Sequence, residues 1–559
     1  MPHMKSIASV LSIIALGFGL IGCPGGGGGG GGDSTPAFAV STTAADFGVV
    51  GNAYTSTLAA TGGTAPFTWT LFGGVLPTGT PTDLSLAPAT GVVSGTPNAA
   101  GNFTATFIVT DSTGKTATGS VLFAIHPRTD LLSVNNSAPP VPGNGVSSTP
   151  SISDDGRIVA FASLAGNVSS GGVGSQIYVH DWQTNQTTLM SRNGIVAAPT
   201  GGNGASTAPS ISGDGRYVAF VSSATDLLPA GSSGVSGQQV YVYDRELGQA
   251  TLASKTNAGV PATGGSTIES PSISGNGRFI AFVSDATNLG APGQQIYLHD
   301  TQVSSLFPNG QTILISKDNT SPTPVAGNGQ SDTPSISNDG CFVAFASAAT
   351  NLAAPAANQV HVRGPLAIAG CAGTEQTTLV SKDNSGSPAS AGSNSRRPSV
   401  NGNGRFIAFI SDATNFGATG TQIYLHDRQV SGPFPDGQTI LISKNNTNPT
   451  PAAGDGPSDT PSISDDGCFV AFNSSATNLG ALTDQIHIRG PLAIAGCAGT
   501  EQTTLVSKDG LGTPANGAAG STVDPSASGN GQFIAFSSSS TNLTSPPPGN
   551  RQIYVRALP

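Results

Sequence analysis

The side chains of this 559-residue chain that could act as bases, nucleophiles or metal ligands are seven histidines, five cysteines and 31 acidic residues. Their spacing assembles none of the familiar catalytic motifs. A serine nucleophile on a strand-to-helix elbow would need Gly-x-Ser-x-Gly, and the paired histidines of a zinc protease would need His-Glu-x-x-His; neither occurs. The glycine run Gly25–Gly32 lacks the Gly-Lys-Ser/Thr ending with which a loop cradles phosphate. Five histidines fall in one slot or its neighbour within a recurring strand: His180, His299 and His426 before an aspartate, His361 and His487 where other copies carry tyrosine. A residue fixed by repetition is architectural first. The sequence calls for no metal and no cofactor, although Asp-Asp-Gly turns could hold calcium instead of simply stabilising a turn.

Charge is scarce, at 9% of residues, and the net charge is −10. A nucleic-acid partner needs a basic face, so that class is excluded. Against this background six charged residues stand out just ahead of a recurring Pro-Ser block: Glu269, Asp332, Arg396, Arg397, Asp459 and Asp524, where other copies have Ser, Thr or Ala. They read as a candidate binding rim around a channel mouth; the alternative is a solvated rim.

That recurring block positions everything else. Pro-Ser-Ile-Ser-x-x-Gly-x-φ-φ-Ala-Phe, with φ apolar, begins at Pro150, Pro209, Pro271, Pro334, Pro398, Pro461 and Pro525, in steps of 59 to 64 residues. Each copy continues into a run such as Gln176-Ile177-Tyr178-Val179, and six add a third, such as Thr377-Thr378-Leu379-Val380. The strand period, tight Asp-Gly and Asn-Gly turns, and no helical stretch predict four antiparallel strands per unit, A to D. Strand A is Pro-Ser-Ile-Ser, B the φ-φ-Ala-Phe run, C the Gln-Ile-Tyr run and D the Thr-Thr-Leu run. Such units pack radially as propeller blades, with Ala and Phe of strand B as small and large partners between neighbours. The seventh unit ends after strand C, and Thr129-Asp130-Leu131-Leu132-Ser133 supplies a strand-D sequence ahead of the first. The N-terminal strand is therefore expected to complete the last blade and leave no free sheet edge. Ser153-Asp154-Asp155-Gly156-Arg157-Ile158-Val159-Ala160-Phe161 and Gln176-Ile177-Tyr178-Val179-His180-Asp181 resemble the TolB-type, WD-like propeller repeats of bacterial envelope proteins. That resemblance, over residues 128–559, implies a protein- or ligand-binding platform; the copy number gives seven blades.

Two further segments precede the repeats. In residues 1–23, Lys5 leads an apolar stretch too short to span a membrane, ending Leu20-Ile21-Gly22-Cys23. These four residues resemble the lipobox of bacterial lipoproteins, which implies cleavage before Cys23, a lipid on its thiol and acylation of its new amino group. Several acyl chains give a stable anchor where one would be marginal. The alternative is a free cysteine in an ordinary signal peptide or a membrane helix. Residues 24–35, glycine-rich, form a flexible tether. By the same resemblance, the absence of aspartate after Cys23 permits export to the outer membrane.

Residues 36–127 alternate in the strand period. Phe67, Trp69 and Leu71 share one face, as do Phe103, Phe107 and Val109. Gly62-Gly63-x-x-Pro66-Phe67-x-Trp69, Leu76-Pro77, Gly91-Val92-Val93-Ser94-Gly95-Thr96-Pro97, Gly101-x-Phe103 and Val109-Thr110-Asp111-Ser112 resemble an immunoglobulin-like domain of bacterial surface proteins. The resemblance implies a non-catalytic β-sandwich serving as spacer or adhesive module. Trp69 is either a core residue or a platform for a sugar.

The remaining cysteines obey the repeat. Cys341 and Cys468 take the slot of Arg216, Arg278 and Arg405, and only those two units carry the insert ending in Cys371 and Cys497. Joint presence and absence suggests disulfides Cys341–Cys371 and Cys468–Cys497, which suit an exported protein; four buried thiols or a metal site are the alternatives. The fold class read from the sequence is thus all-β: an Ig-like sandwich, then a seven-bladed propeller closed by an N-terminal strand. The leading function is a lipid-anchored envelope scaffold that binds a protein or glycan. A carbohydrate-active enzyme and a purely structural or adhesive module are the competing readings.

Overall fold

The computed structural model describes residues 36–558 except 75, 78–83, 169–171, 195–199, 229–234, 264–269, 321, 353–356, 368–370, 391, 430–436, 448–449, 481–483, 495, 518–521 and 546. Cys23 with the N-terminal segment, and Glu269, lie outside the described residues.

The chain is all-β, with only four single-turn 3-10 segments among the described residues. In the N-terminal part, one sheet orders Gly48–Val49, Thr116–His126, Gly101–Thr110 and Thr68–Gly74; a second orders Tyr54–Thr57, Val92–Gly95 and Ser85–Ala87. Both contribute to one core containing Tyr54, Trp69, Val93, Phe107, Val109, Val121 and Phe123. Trp69 is only 4% exposed, so it is a core residue and offers no sugar platform. Leu71 departs from the expected face and is 39% exposed. A register shift between Leu71 and Gly73 turns the end of that strand away from the core.

From residue 129 onward, seven four-stranded antiparallel sheets follow, six of them built from strands A to D in chain order. In the first unit these are Ser147–Ile152, Ile158–Ser163, Gln176–Asp181 and Gln186–Leu189. The last sheet takes its A, B and C strands from Thr522–Ala527, Phe533–Ser538 and Gln552–Ala557, and its D strand from Thr129–Leu131. The register there, Thr129↔Arg556, Asp130↔Val555 and Leu131↔Tyr554, matches Thr377↔Arg363, Thr378↔Val362 and Leu379↔His361 in the fourth unit.

Strand A is innermost, and each packs against strand A of the next unit, with the seventh against the first. The serine of each Pro-Ser explains itself here. Its Oγ accepts the N–H of the apolar residue of the following strand A: Ile211 to Ser151, Ile273 to Ser210, Ile336 to Ser272, Val400 to Ser335, Ile463 to Ser399, Ala527 to Ser462 and Ile152 to Ser526, all at 3.0–3.2 Å. A second circuit runs through the A–B turns, from Asp154 N to Gly213 O at 3.0 Å around to Gly529 N to Asp154 O at 3.1 Å. The first and last units are thereby hydrogen-bonded neighbours.

Between units, small residues meet large ones as expected. Ala160 and Ala162 of the first unit pack with Phe220 and Tyr241 of the second, and Ala535 of the last packs with Phe161 and Tyr178 of the first. The buried glutamine opening strand C holds the next D–A connection: Gln422 Nε2 donates to Gly454 O at 3.0 Å, and Ser443 Oγ donates to Gln422 Oε1 at 2.6 Å. The Ala-Thr-Asn-Leu string forms a 3-10 turn whose asparagine grips the preceding D–A connection, as Asn288 Nδ2 does on Pro261 O at 2.8 Å.

The N-terminal sheets are docked on the side of the ring that carries the A–B and C–D turns. Trp182, fully buried, packs against Phe47, His126 and Phe533, and its Nε1 donates to Asp130 Oδ2 at 2.8 Å. Asn52 Nδ2 donates to Leu558 O at 2.8 Å, and Gln183 Nε2 to Ala45 O at 2.9 Å. The D–A connections face the other way.

Candidate functional site

The seven strands A enclose a cavity of about 530 Å³. Its wall is the Pro-Ser dipeptide of every unit together with the residue before it. That preceding residue has a positive φ in all seven units, from 33° at Ser270 to 56° at Asp524. In six units strand A also shifts register against strand B across this point, for instance between Arg396 and Ser399. A bulge in a left-handed conformation, costly for residues other than glycine, re-aims one side chain per unit toward the axis.

This geometry refines the rim. The charged residues were expected in the connection ahead of strand A; those described lie inside it, because the strands begin at Ser331, Ser395, Ser458 and Thr522. They also occupy two different slots. Arg397 and Asp524 hold the positive-φ slot and line the cavity. Asp332, Arg396 and Asp459 sit one residue earlier in the sequence, opposite Ala346, Ile410 and Asn473 of strand B. Arg397 Nη1 pairs with Asp459 Oδ1 at 3.1 Å, with both side chains nearly half exposed, so the pair contributes little stability and is free to exchange partners. Burial raises the Asp524 carboxyl, against the pull of Arg397 and Arg551; burial also raises Asp332. Arg397, Asp459 and Asp524 come from three consecutive units and concentrate charge on one arc of the D–A mouth.

The opposite mouth was not singled out from the sequence. The second residue of each A–B turn, Ser-x-x-Gly in six units and Asn401-x-x-Gly404 in the fifth, faces the axis there, and its identities are Asp154, Gly213, Gly275, Asn338, Gly402, Asp465 and Gly529. Asn338 Nδ2 donates to Asp154 Oδ2 at 2.9 Å and to Asp465 Oδ2 at 2.5 Å. Burial and the adjoining Asp154 carboxyl hold Asp465 up at about 7. The glycines make room: a Cβ on Gly275 would fall 1.6 Å from Asn338 Oδ1, and one on Gly213 2.1 Å from Asp154 Oδ2. The only trace in the sequence is that this one slot holds Asp or Asn in three units and Gly in the other four.

Other candidates resolve into architecture. In the turns, Asp155 Oδ1 accepts Ser153 Oγ at 2.6 Å and Arg157 N at 2.9 Å, the role of a turn-stabilising carboxylate. His180, His299 and His426 donate to or accept from Thr187, Thr312 and Thr439 at 2.9 Å between strands C and D, away from the channel. Burial depresses these imidazoles to about 4, 3 and 3, and His361 and His487, stacked on Phe345 and Phe472, to about 4. Disulfides join Cys341 to Cys371 and Cys468 to Cys497, with Cα–Cα distances of 5.7 and 5.5 Å. Among the described residues no group of three His, Cys, Asp or Glu is placed to hold a metal ion.

With this geometry in view, comparison with known proteins finds a family match for the N-terminal part. Residues 34–126 match the family described as "Putative Ig domain". The chain is also similar to solved β-propellers at low identity. TolB from Acinetobacter baumannii is 12% identical, with 76% of this chain and 80% of that one covered and a TM-score of 0.33. The β-propeller domain of the Trilobed protease from Pyrococcus furiosus is 10% identical, covering 74% and 95%, with a TM-score of 0.39. The periplasmic gluconolactonase PpgL of Pseudomonas aeruginosa is 14% identical, covering 72% and 92%, with a TM-score of 0.33. No curated protein sequence matches the chain.

Proposed function

We propose that this protein is a lipid-anchored component of a bacterial cell envelope. In this reading Cys23 carries the lipid, residues 24–35 are the tether, the Ig-like domain of 36–127 is a spacer, and residues 128–559 form a seven-bladed propeller that binds a protein or glycan partner. Support for the seven blades comes from the two hydrogen-bond circuits that pass through all seven units and return to the first. Support for an exported location comes from the two disulfides.

One observation carries the choice of binding face. The Ig-like domain docks on the A–B and C–D turn side through Trp182, Phe47 and Phe533. That leaves the D–A mouth, with the exchangeable Arg397–Asp459 pair and Asp524, on the face away from the Ig-like domain. An outward face whose residues break the repeat is where a partner is selected. The test compares residues 36–559 with the R397A/D459A/D524A variant for binding to envelope proteins and to a glycan array. Partners retained by the parent and lost by the variant are expected; equal binding by both overturns the assignment of this face.

The carbohydrate-active-enzyme reading, taken as a polysaccharide hydrolase, requires two carboxyls spaced for a sugar, about 5 Å apart at the closest. Asp154 and Asp465 converge on the axis, but a single nitrogen, Asn338 Nδ2, sits between them at 2.9 and 2.5 Å and fills the place a glycosidic bond would take. The pair therefore gives that reading no support.

A further inference from the structure

The mouth on the Ig-like side carries a device that the binding role does not use. Of seven equivalent turn positions, only units one, four and six bear a side chain, and those three side chains meet over the axis. The neighbouring glycines are required by the meeting: beside those at 213 and 275, a Cβ on Gly529 would lie 2.9 Å from Asp154 Cβ and 3.1 Å from Asp465 Oδ2, and one on Gly402 would crowd the Asp465 backbone at 3.0 Å.

The geometry points to a proton-operated latch: Asp465 keeps its proton beside the Asp154 carboxyl, Asn338 bridges both, and loss of that proton unties units one, four and six at this mouth. Two carboxylates in contact cannot both ionise without strong repulsion. The surroundings offer the second charge no compensation. The residues facing the pair from the other turns are Asp214 and Asn276, Asp339 beside Asn338, and Asn403, with Asp155 and Asp466 adjoining the pair itself; among the described residues no basic side chain lines this mouth, and Arg245 and Arg428 are bonded instead to the carbonyls of Gly215 and Gly404 that end two of the turns. Among the described residues the amide of Asn338 is the one side-chain donor reaching both carboxyls, and it is already shared. The elevated Asp465 carboxyl, near 7, places the event at neutral pH.

The sign follows from linkage. The folded chain holds the Asp465 proton well above the value near 4 of an unfolded aspartate, so between about pH 4 and 7 the native state binds more protons than the unfolded one. The latch's contribution is complete at low pH and is lost as pH rises through about 7. The test is thermal unfolding of residues 36–559 between pH 5 and 8.5, parent against Asp465→Asn, which keeps the shape without the titration. Relative to the variant, the parent is expected to lose about 1–3 °C across that range. A parent–variant difference that stays constant with pH overturns the latch. A measurement on the parent alone guards against a variant that does not fold. Infrared difference spectra between pH 5.5 and 8.5 should show the loss of a protonated carboxyl band, and a spectrum without that loss also overturns it. Hydrogen exchange reports the consequence: after correction for intrinsic rates, the amides of Asp154, Asp465 and Gly529 should exchange faster at pH 8.5, and unchanged protection contradicts the release.

Discussion

Arginine 157 reaches across its unit to Asp181, with Nη2 and Oδ2 2.7 Å apart, and Arg216–Asp244, Arg278–Asp300 and Arg405–Asp427 repeat the pair at 2.7 Å. Each clamps the start of strand B to the end of strand C. In the fourth and sixth units both partners are replaced: cysteine takes the arginine slot, Gly364 and Gly490 take the aspartate slot, and the disulfide with the insert performs the clamp. A Cβ on Gly364 would lie 2.5 Å from Cys341 O, which is why the aspartate cannot remain. Replacing Cys341 and Cys371 by serine should lower stability by about 3 kcal/mol, given a loop of about 30 residues, and shift the denaturant midpoint; an unchanged midpoint would mean that the bond is absent. The histidines give a second prediction. With their folded values depressed to about 3 or 4, the unfolded chain takes up protons below about pH 6.5 that the native chain refuses. Stability therefore falls on acidification from pH 7 toward 4. Restoring the tyrosine of the other units, by His361→Tyr with His487→Tyr, should flatten that acid limb in pH-dependent melting curves; an acid limb of unchanged steepness would contradict the assignment.

At the scale of the elements, each unit is stitched to the next by side chains whose types never vary because their partners are backbone groups. Gln422→Leu illustrates the cost. It strips the donor from Gly454 O and the acceptor from Ser443 Oγ in a buried place, and should destabilise by about 2 kcal/mol in equilibrium unfolding. A loss within experimental error would show that the glutamine does not hold the D–A connection. These elements were legible in the sequence because repetition separated constant from variable positions: strands A to D, the register of Thr129–Leu131 and the cysteine pairing all follow from aligning the units. The convergence of Asp154, Asn338 and Asp465 was not legible. Asp154 and Asp465 occupy a turn slot where a local hydrogen-bonding role accounts for an aspartate, and only closing the ring brings residues 311 positions apart into contact. The rim was legible in composition and not in placement, since a bulge in strand A decides which of two adjacent residues faces the cavity, Arg396 or Arg397.

For the whole molecule, the junction between the two parts rests on Trp182, held by Phe47 and His126 from one side and Phe533 from the other. Trp182→Ala should remove about 3–5 kcal/mol and uncouple the domains, so that calorimetry resolves two transitions in place of one; a single cooperative transition would show that the interface does not depend on this ring. Cys23→Ser should move the protein from the membrane fraction to the soluble one, and continued membrane retention would refute lipid anchoring. Both the proposed binding face and the proposed latch depend on a ring whose ends meet. The amide of Leu132 is bonded to Ile553 O at 2.8 Å, across the join between the two ends of the repeat array. Hydrogen exchange of the peptide spanning residues 129–134 tests that join directly. The account predicts protection comparable to that of the interior strand Ile158–Ser163, whereas exchange at the rate of an unpaired segment would contradict it.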